Sequence, residues 1–256
     1  MPDVQIKGAT VLVTGASSGV GAALAPLLAE SGATVAILAR REDRLTEVLE
    51  QCRRHTPRSE MFVCDLGDTD AAVTAALAAW DALGHLDVVV HNAAIPRRRF
   101  VQVLTPDEVD ETMRVNFTSP VHMTLALLPR MLERDTGVIV NVSSMGGRVG
   151  ILQESAYCAS KFALTGWSEA IAADLWHTGV DVRLITPGPI DTEIWDQPGN
   201  DPAHYDGELE PPSTVAEAIV AAIEGDRFET YVPDLSAVVE WKTTNVDAFI
   251  EGVAAQ

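Results

Sequence analysis

The sequence predicts a three-layer α/β domain, a doubly wound parallel sheet with helices on both faces. Three observations carry that expectation. Strand-like and helix-like segments alternate through the first two-thirds of the chain, the pattern of a parallel sheet covered by its own connections. Several strand-like segments are apolar throughout, as strands buried on both faces must be. A glycine-rich turn separates the first strand from the first helix.

Each element follows from its residues. Thr10–Thr14 is a short β-rich run, and Gly21–Ser31 reads as a helix. Thr34–Ala39 is continuously apolar and Asp43–Arg54 is amphipathic. Met61–Cys64 is a short strand, Thr69–Leu83 an alanine-rich helix, and Leu86–Val90 another apolar strand. Pro106–Glu133 carries a long helical pattern, broken or bent near Ser119-Pro120, because proline supplies no backbone N–H. Val138–Val142 is a strand, Ala156–Trp176 a helix and Val180–Ile185 a strand. Trp195–Ser213 is rich in Pro, Gly and acidic residues; with the residues from Thr192 onward it reads as a loop, 192–213, that closes over a substrate. Thr214–Glu224 is a helix, Glu229–Val232 the last strand, and the tail after Pro233 is helical.

The 256 residues contain no internal repeat and no low-complexity linker, so a single domain over 1–256 is expected. No leader-like or membrane-spanning apolar run is present. Cys52, Cys64 and Cys158 are odd in number and lack C-x-x-C spacing, which fits reduced thiols in a cytoplasmic protein and no metal site. The net charge of −19 opposes nucleic-acid binding, which needs a basic surface. Only three of the 18 basic residues are lysines, Lys7, Lys161 and Lys242, and one of them lies four residues after a tyrosine.

The turn Thr14-Gly15-Ala16-Ser17-Ser18-Gly19-Val20-Gly21 joins strand to helix with spacing G-x-x-x-G-x-G. Glycines allow a tight turn and close approach of backbone to a pyrophosphate, and the helix start supplies unpaired N–H groups with partial positive charge. At the end of the second strand an acidic residue would grip ribose hydroxyls; Arg40 and Arg41 stand there instead. Their guanidinium groups suit a 2′-phosphate, so NADP is expected ahead of NAD. Asp65-Leu66 follows the third strand, where a carboxylate accepts from an adenine amino group. His91 is read as a structural histidine, and Asn92-Ala93-Ala94 provides small residues against which a ribose lies.

Tyr157 and Lys161, at i and i+4, share one helix face. A fixed positive charge lowers a phenol's pKa and brings it into range for proton transfer. Y-x-x-x-K alone is common by chance. Here Ser144 lies thirteen residues upstream, and a glycine-rich turn opens the chain.

With Thr14–Gly21, Asn92-Ala93, Asn116, Ser144, Tyr157, Lys161 and Pro187-Gly188 in this order and spacing, the chain resembles the short-chain dehydrogenases/reductases over about three-quarters of its length, Lys7 to Thr192. The resemblance implies a Rossmann-type fold. It implies that Tyr157 is the general acid in carbonyl reduction and the base in alcohol oxidation, and that Ser144, not Ser143, holds the substrate oxygen. Lys161 would lower the Tyr157 pKa and bind the nicotinamide ribose, and Asn116 would hold a relay water. Pro187-Gly188 and Ile190 to Thr192 would cradle the nicotinamide, with Thr192 on its carboxamide. His91 and Ala94 depart from the family's Asn-Asn-Ala-Gly, and no basic residue occupies positions 16–18.

The expected substrate is a small carbonyl compound or secondary alcohol, with Trp195 and Tyr205 of the loop favouring a hydrophobic one. Arg97-Arg98-Arg99 attracts an anionic substrate, or is solvated loop charge or an internal ion pair with acidic residues. The alanine-, leucine- and tryptophan-rich helices imply a homodimer or homotetramer. Two alternatives stand beside this reading. One is a 3-oxoacyl-thioester reductase, whose acidic carrier would dock on Arg97–Arg99 and Arg130–Arg134. The other is a catalytically silent dinucleotide-binding regulator.

Overall fold

A computed structural model describes residues 4–255; residues 1–3 and 256 of the expected domain lie outside it. Seven strands form one wholly parallel sheet in the order β3-β2-β1-β4-β5-β6-β7. They are β1 (Thr10–Thr14), β2 (Thr34–Ala39), β3 (Glu60–Val63), β4 (Val88–His91), β5 (Gly137–Val142), β6 (Val180–Pro187) and β7 (Glu229–Val232). The order reverses between β1 and β4, so the crevice for a ligand opens at the carboxyl ends of these two strands.

Alternating side chains of the same strands feed two cores. Val11 and Val13 of β1 join one cluster with Leu24 and Leu28 of α1 (Gly19–Glu30), Leu45 of α2 (Glu42–Arg53) and Ile219 of α7 (Pro212–Glu224). Leu12, between them, joins the opposite cluster with Ala76 of α3 (Thr69–Leu83), Met123 of α5 (Ser119–Arg134) and Ile171 of α6 (Ser155–Asp174). Burial on both faces is why the strands carry no polar alternation.

Local chemistry sets the helix ends. Asp68 caps α3 by accepting from the N–H groups of Asp70 (3.1 Å) and Ala71 (3.0 Å), and Gly84 ends it at φ +87°. Thr105 and Glu108 form a reciprocal capping box around Pro106 at the start of α4 (Pro106–Met113). The bend expected near Pro120 is a π-helical turn, Arg114–Thr118, between α4 and α5. Its last bond runs from the Ser119 N–H to the Arg114 carbonyl, one residue longer than an α-helical bond. Pro120 has no N–H to return to the carbonyl of Asn116.

Boundaries shift modestly from the expected ones. α1 begins at Gly19, β4 runs two residues later than Leu86, and β6 continues to Pro187. The tail after Pro233 is helical as expected, as two helices, α8 (Ser236–Thr244) and α9 (Val246–Ala254). Segment 192–213 begins with a 3₁₀ turn, Glu193–Asp196, continues irregularly, and enters α7 at Pro212. No helix among the described residues is long and apolar enough to cross a membrane.

Candidate active site

A cleft of ≈ 460 Å³ opens at the carboxyl ends of the strands. Its walls include Gly15, Ser17 to Val20, Arg40, Arg41, Asp65, Leu66, Asn92 to Ala94, Ser144, Tyr157, Lys161, Pro187, Gly188, Ile190 and Thr192. Two expected site residues, Gly21 and Asn116, stand behind this wall.

The nucleotide end is built from β1, α1 and β4. The Thr14 hydroxyl accepts from the N–H groups of Asn92 (3.0 Å) and Ala93 (3.1 Å), and the Asn92 side-chain amide donates to the Thr14 carbonyl (2.9 Å). This stitching brings backbone so close that a Cβ on Gly15 (φ +69°) would lie 2.7 Å from the Ala93 Cα. A Cβ on Gly21 would lie 2.7 Å from the Asn92 amide nitrogen. Gly21 therefore seats α1 against β4. The first turn of α1 has no acidic residue, and Ser18 gives it no side-chain cap. Uncapped N–H groups at a helix start facing a cleft fit an anionic pyrophosphate.

The β2 edge is charged. Arg40 is well exposed, with Nη1 3.8 Å from Asp65 Oδ2. Asp65 also accepts from the Gly67 N–H at 2.9 Å. Arg41 is more tightly engaged: Nη2 donates to Ser18 Oγ at 2.6 Å and Ser17 Oγ at 3.3 Å, and Nη1 to Glu193 Oε2 at 2.8 Å. Arg44 also pairs with Glu193. These two arginines hold the Glu193 carboxyl below its ordinary pKa.

At the other end, Lys161 is 2% exposed, and its ammonium donates to the Val142 carbonyl at 2.9 Å. It lies 5.8 Å from the centroid of the Tyr157 ring. Burial brings the Lys161 pKa down to about 7. Burial pushes the Tyr157 phenol up from its usual value, against the lowering effect of a hydrogen bond with Ser144. The expected lowering of Tyr157 by Lys161 is thus not the dominant influence here; desolvation is. Ser144 also accepts from the Gly146 N–H at 3.0 Å. Ser143 instead bonds Thr165 Oγ1 (2.8 Å) and the Lys161 carbonyl (3.3 Å), engaged with α6. Asn116 is fully buried: its Oδ1 accepts from the Ile95 N–H (2.8 Å), and its Nδ2 donates to the Ile95 carbonyl and Ser160 Oγ (both 3.0 Å). Its side chain thus ties the segment after β4 to α6. His91 is buried with Nε2 on Thr124 Oγ1 at 2.9 Å and no partner on Nδ1, and its pKa falls to about 4.

Sequence reasoning missed two residues of this cleft as site residues, Glu154 and Glu193, and did not foresee that Arg98 holds the loop. Arg97 pairs with Glu108 and Glu111, and Arg99 with Glu108 and Asp201. Arg98 is 3% exposed and grips the loop. Nε donates to the Asp201 carbonyl (3.2 Å), Nη1 to that of Ile194 (3.4 Å) and Nη2 to that of Trp195. The run is spent on internal pairing, as the internal-pair expectation has it, and is not solvated loop charge. Adjacency to Thr192 and to Tyr157 was the available signal for Glu193 and Glu154.

The family model for short chain dehydrogenases matches residues 9–203. A D-threitol dehydrogenase of Mycolicibacterium smegmatis is 34% identical over 203 residues, 78% of this chain and 78% of its own. An uncharacterized oxidoreductase, YxnA, of Bacillus subtilis is 33% identical over 89% of this chain, which spans only 66% of that protein. A crystal structure of a short chain dehydrogenase from Burkholderia cenocepacia in complex with NADP superposes with a TM-score of 0.82 at 27% identity, covering 98% of this chain and 99% of that one. The chain belongs to the short-chain dehydrogenase family of oxidoreductases.

Proposed function

We propose that the protein is an NADP-preferring oxidoreductase interconverting a carbonyl group and a secondary alcohol. The observation that carries the reading is the convergence of Ser144, Tyr157 and Lys161 on the same cleft as the uncapped start of α1. The nicotinamide cofactor, when bound, supplies or accepts the hydride. Gly15 to Val20 would hold its pyrophosphate, Arg40 and Arg41 its 2′-phosphate, Asp65-Leu66 its adenine, and Asn92 to Ala94 a ribose. Pro187, Gly188, Ile190 and Thr192 would hold the nicotinamide end.

In reduction, Ser144 and Tyr157 donate hydrogen bonds to the carbonyl oxygen, and Tyr157 gives it a proton as negative charge develops. Lys161 favours the phenolate that remains and binds ribose hydroxyls. Asn116, behind the cleft wall, would hold a water that links Lys161 to solvent as a proton relay. Segment 192–213 closes over the substrate. The buried thiols of Cys52, Cys64 and Cys158 suit a cytoplasmic enzyme, and the chain assembles as a homodimer or homotetramer.

The 3-oxoacyl-thioester alternative is disfavoured by charge. An acidic carrier needs free basic groups, yet Arg97 and Arg99 are paired as above, Arg130 pairs with Asp81 and Arg134 with Asp87. A silent binder would need neither Ser144 nor Tyr157.

The test is binding of NADPH and NADH to the wild type and to Arg40→Ala and Arg41→Ala, followed by a carbonyl panel. Tighter binding of NADPH, lost in the variants, is expected. Equal binding of NADH would overturn the cofactor preference, and tight binding without turnover on a broad panel would favour the silent regulator.

A further inference from the structure

The substrate end of the cleft holds a carboxyl group that hydride transfer does not use. Glu154 occupies the position just before α6, three residues ahead of Tyr157, and lines the cleft. Its side chain is 12% exposed. Its cationic neighbour, Arg98 Nη1, is 4.0 Å away, beyond hydrogen-bond reach. Arg98 is held there by the loop: its three guanidinium nitrogens donate to backbone carbonyls, and it stacks over Trp195 at 5.4 Å. Among the described residues no N–H or O–H donates to the Glu154 carboxyl.

The presentation of Glu154 is built. Gln153 before it is 8% exposed and adopts φ +63°, a conformation costly for a residue with a side chain. Its carbonyl accepts the Arg99 N–H at 2.7 Å, which fixes the turn. Burial pushes the Glu154 carboxyl up to about 7, and its charge in turn opposes ionisation of Tyr157; both residues line the cleft.

The Glu154 carboxyl opens to the cleft with no donor from the protein, so a ligand that fills the cleft and displaces its water must supply one. We infer that Glu154 receives a hydroxyl group of the substrate, and that the preferred substrates are neutral hydroxy ketones and the corresponding polyols. Charge selects among donors. An anionic substrate would be repelled by Glu154 and would find Arg97, Arg98 and Arg99 already engaged. An ammonium group would meet the buried guanidinium of Arg98. A neutral hydroxyl meets neither penalty. Glu154 enters no bond-making step; it accepts a hydrogen bond and thereby sets which carbonyl faces Tyr157. This turns the expected preference away from a bare hydrophobic ketone, although Trp195 and Tyr205, stacked at 6.2 Å, still give the cleft an apolar wall. The inference rests on the oxidoreductase reading above.

The experiment uses the full chain with saturating NADPH and two ketone pairs that differ by one hydroxyl: 3-hydroxy-2-butanone against 2-butanone, and hydroxyacetone against acetone. The wild type should favour the hydroxylated member by about tenfold or more in kcat/KM, as expected of a site built around one substrate hydroxyl. Glu154→Leu should bring that ratio close to one. Glu154→Gln, which keeps the volume and one acceptor oxygen, should retain much of it and serves as the folded control beside a thermal melt. A wild-type ratio near one, or a ratio that survives in Glu154→Leu, overturns the inference. No turnover of any of the four ketones despite NADPH binding also overturns it and leaves the nucleotide reading standing. Absence of NADPH binding removes the reading beneath it as well.

Discussion

Tyr157 and Lys161 show how a buried site holds titratable groups away from their solution behaviour. The phenol is raised by desolvation and Lys161 lowered to about 7. Tyr157→Phe removes the proposed proton donor and keeps the ring, so turnover should fall by about 10²–10⁴-fold. NADPH affinity, read by fluorescence titration, should change little. Lys161 makes a stability prediction with a definite sign. Its folded pKa lies below the unfolded value of about 10.5, so the unfolded chain binds more protons between these values and stability rises with pH there. The stabilisation is lost as pH falls through 7. Cys52 and Cys158 are raised to about 11 and about 12, which favours unfolding above the ordinary thiol range. The window belonging to Lys161 is therefore about pH 7 to 8.5. The ligand-free protein should gain Tm across it, and Lys161→Met should flatten the gain; an unchanged slope would show that Lys161 is not the titrating group.

At the scale of elements, the loop 192–213 is held at two ends by opposite chemistry. Glu193 is tied to Arg41 and Arg44 at the nucleotide edge, and the carbonyls of Ile194, Trp195 and Asp201 to buried Arg98 at the substrate edge. Hydrogen bonds from a charged, desolvated donor are worth about 1.5–3 kcal/mol each, whereas the solvent-exposed ion pairs of Glu193 are screened and contribute little. Arg98→Met should therefore free the loop, with proteolytic nicking near 195–205 accelerated by about tenfold or more and KM raised. Glu193→Gln should leave nicking within about twofold. Equal nicking rates in Arg98→Met and wild type would remove Arg98 from this role. Elements governed by local pattern were legible: β1, β2, β7 and α3 have their expected bounds because apolar runs and turn residues define them. The glycine turn, Ser144, Tyr157 and Lys161 were legible because spacing along the chain encodes them. Arg98 and Glu154 were not, because their roles come from a loop about 100 residues beyond Arg98 and from a turn whose positive φ no local pattern announces. The sequence showed three adjacent arginines; only tertiary contacts separate the buried Arg98 from Arg97 and Arg99, which pair with acids on α4 and the loop.

At the scale of the molecule, net charge and exposed apolar surface pull against each other. The outward row of α5 carries Leu125 at 52% and Leu132 at 38% exposure, with Pro129 between them. On α6, Ala159, Phe162, Gly166 and Ala170 form a second exposed row at helical spacing. Small and apolar residues on neighbouring helices suit close packing against a second copy across a twofold axis. Light scattering should give twice or four times the mass of the chain, and Leu125→Glu combined with Gly166→Glu should give the monomer. Each copy brings a charge of −19, so association must overcome repulsion between like-charged partners. That repulsion reaches about 30 Å at 0.01 M salt and only about 8 Å at 0.15 M. The assembled fraction should therefore rise with ionic strength, and Tm should rise with protein concentration, as mass action requires of a folded oligomer. A single-chain mass at every salt concentration, with a Tm independent of protein concentration, would mean that these rows face water. The exposed leucines would then be scattered surface apolars of the kind every folded monomer carries.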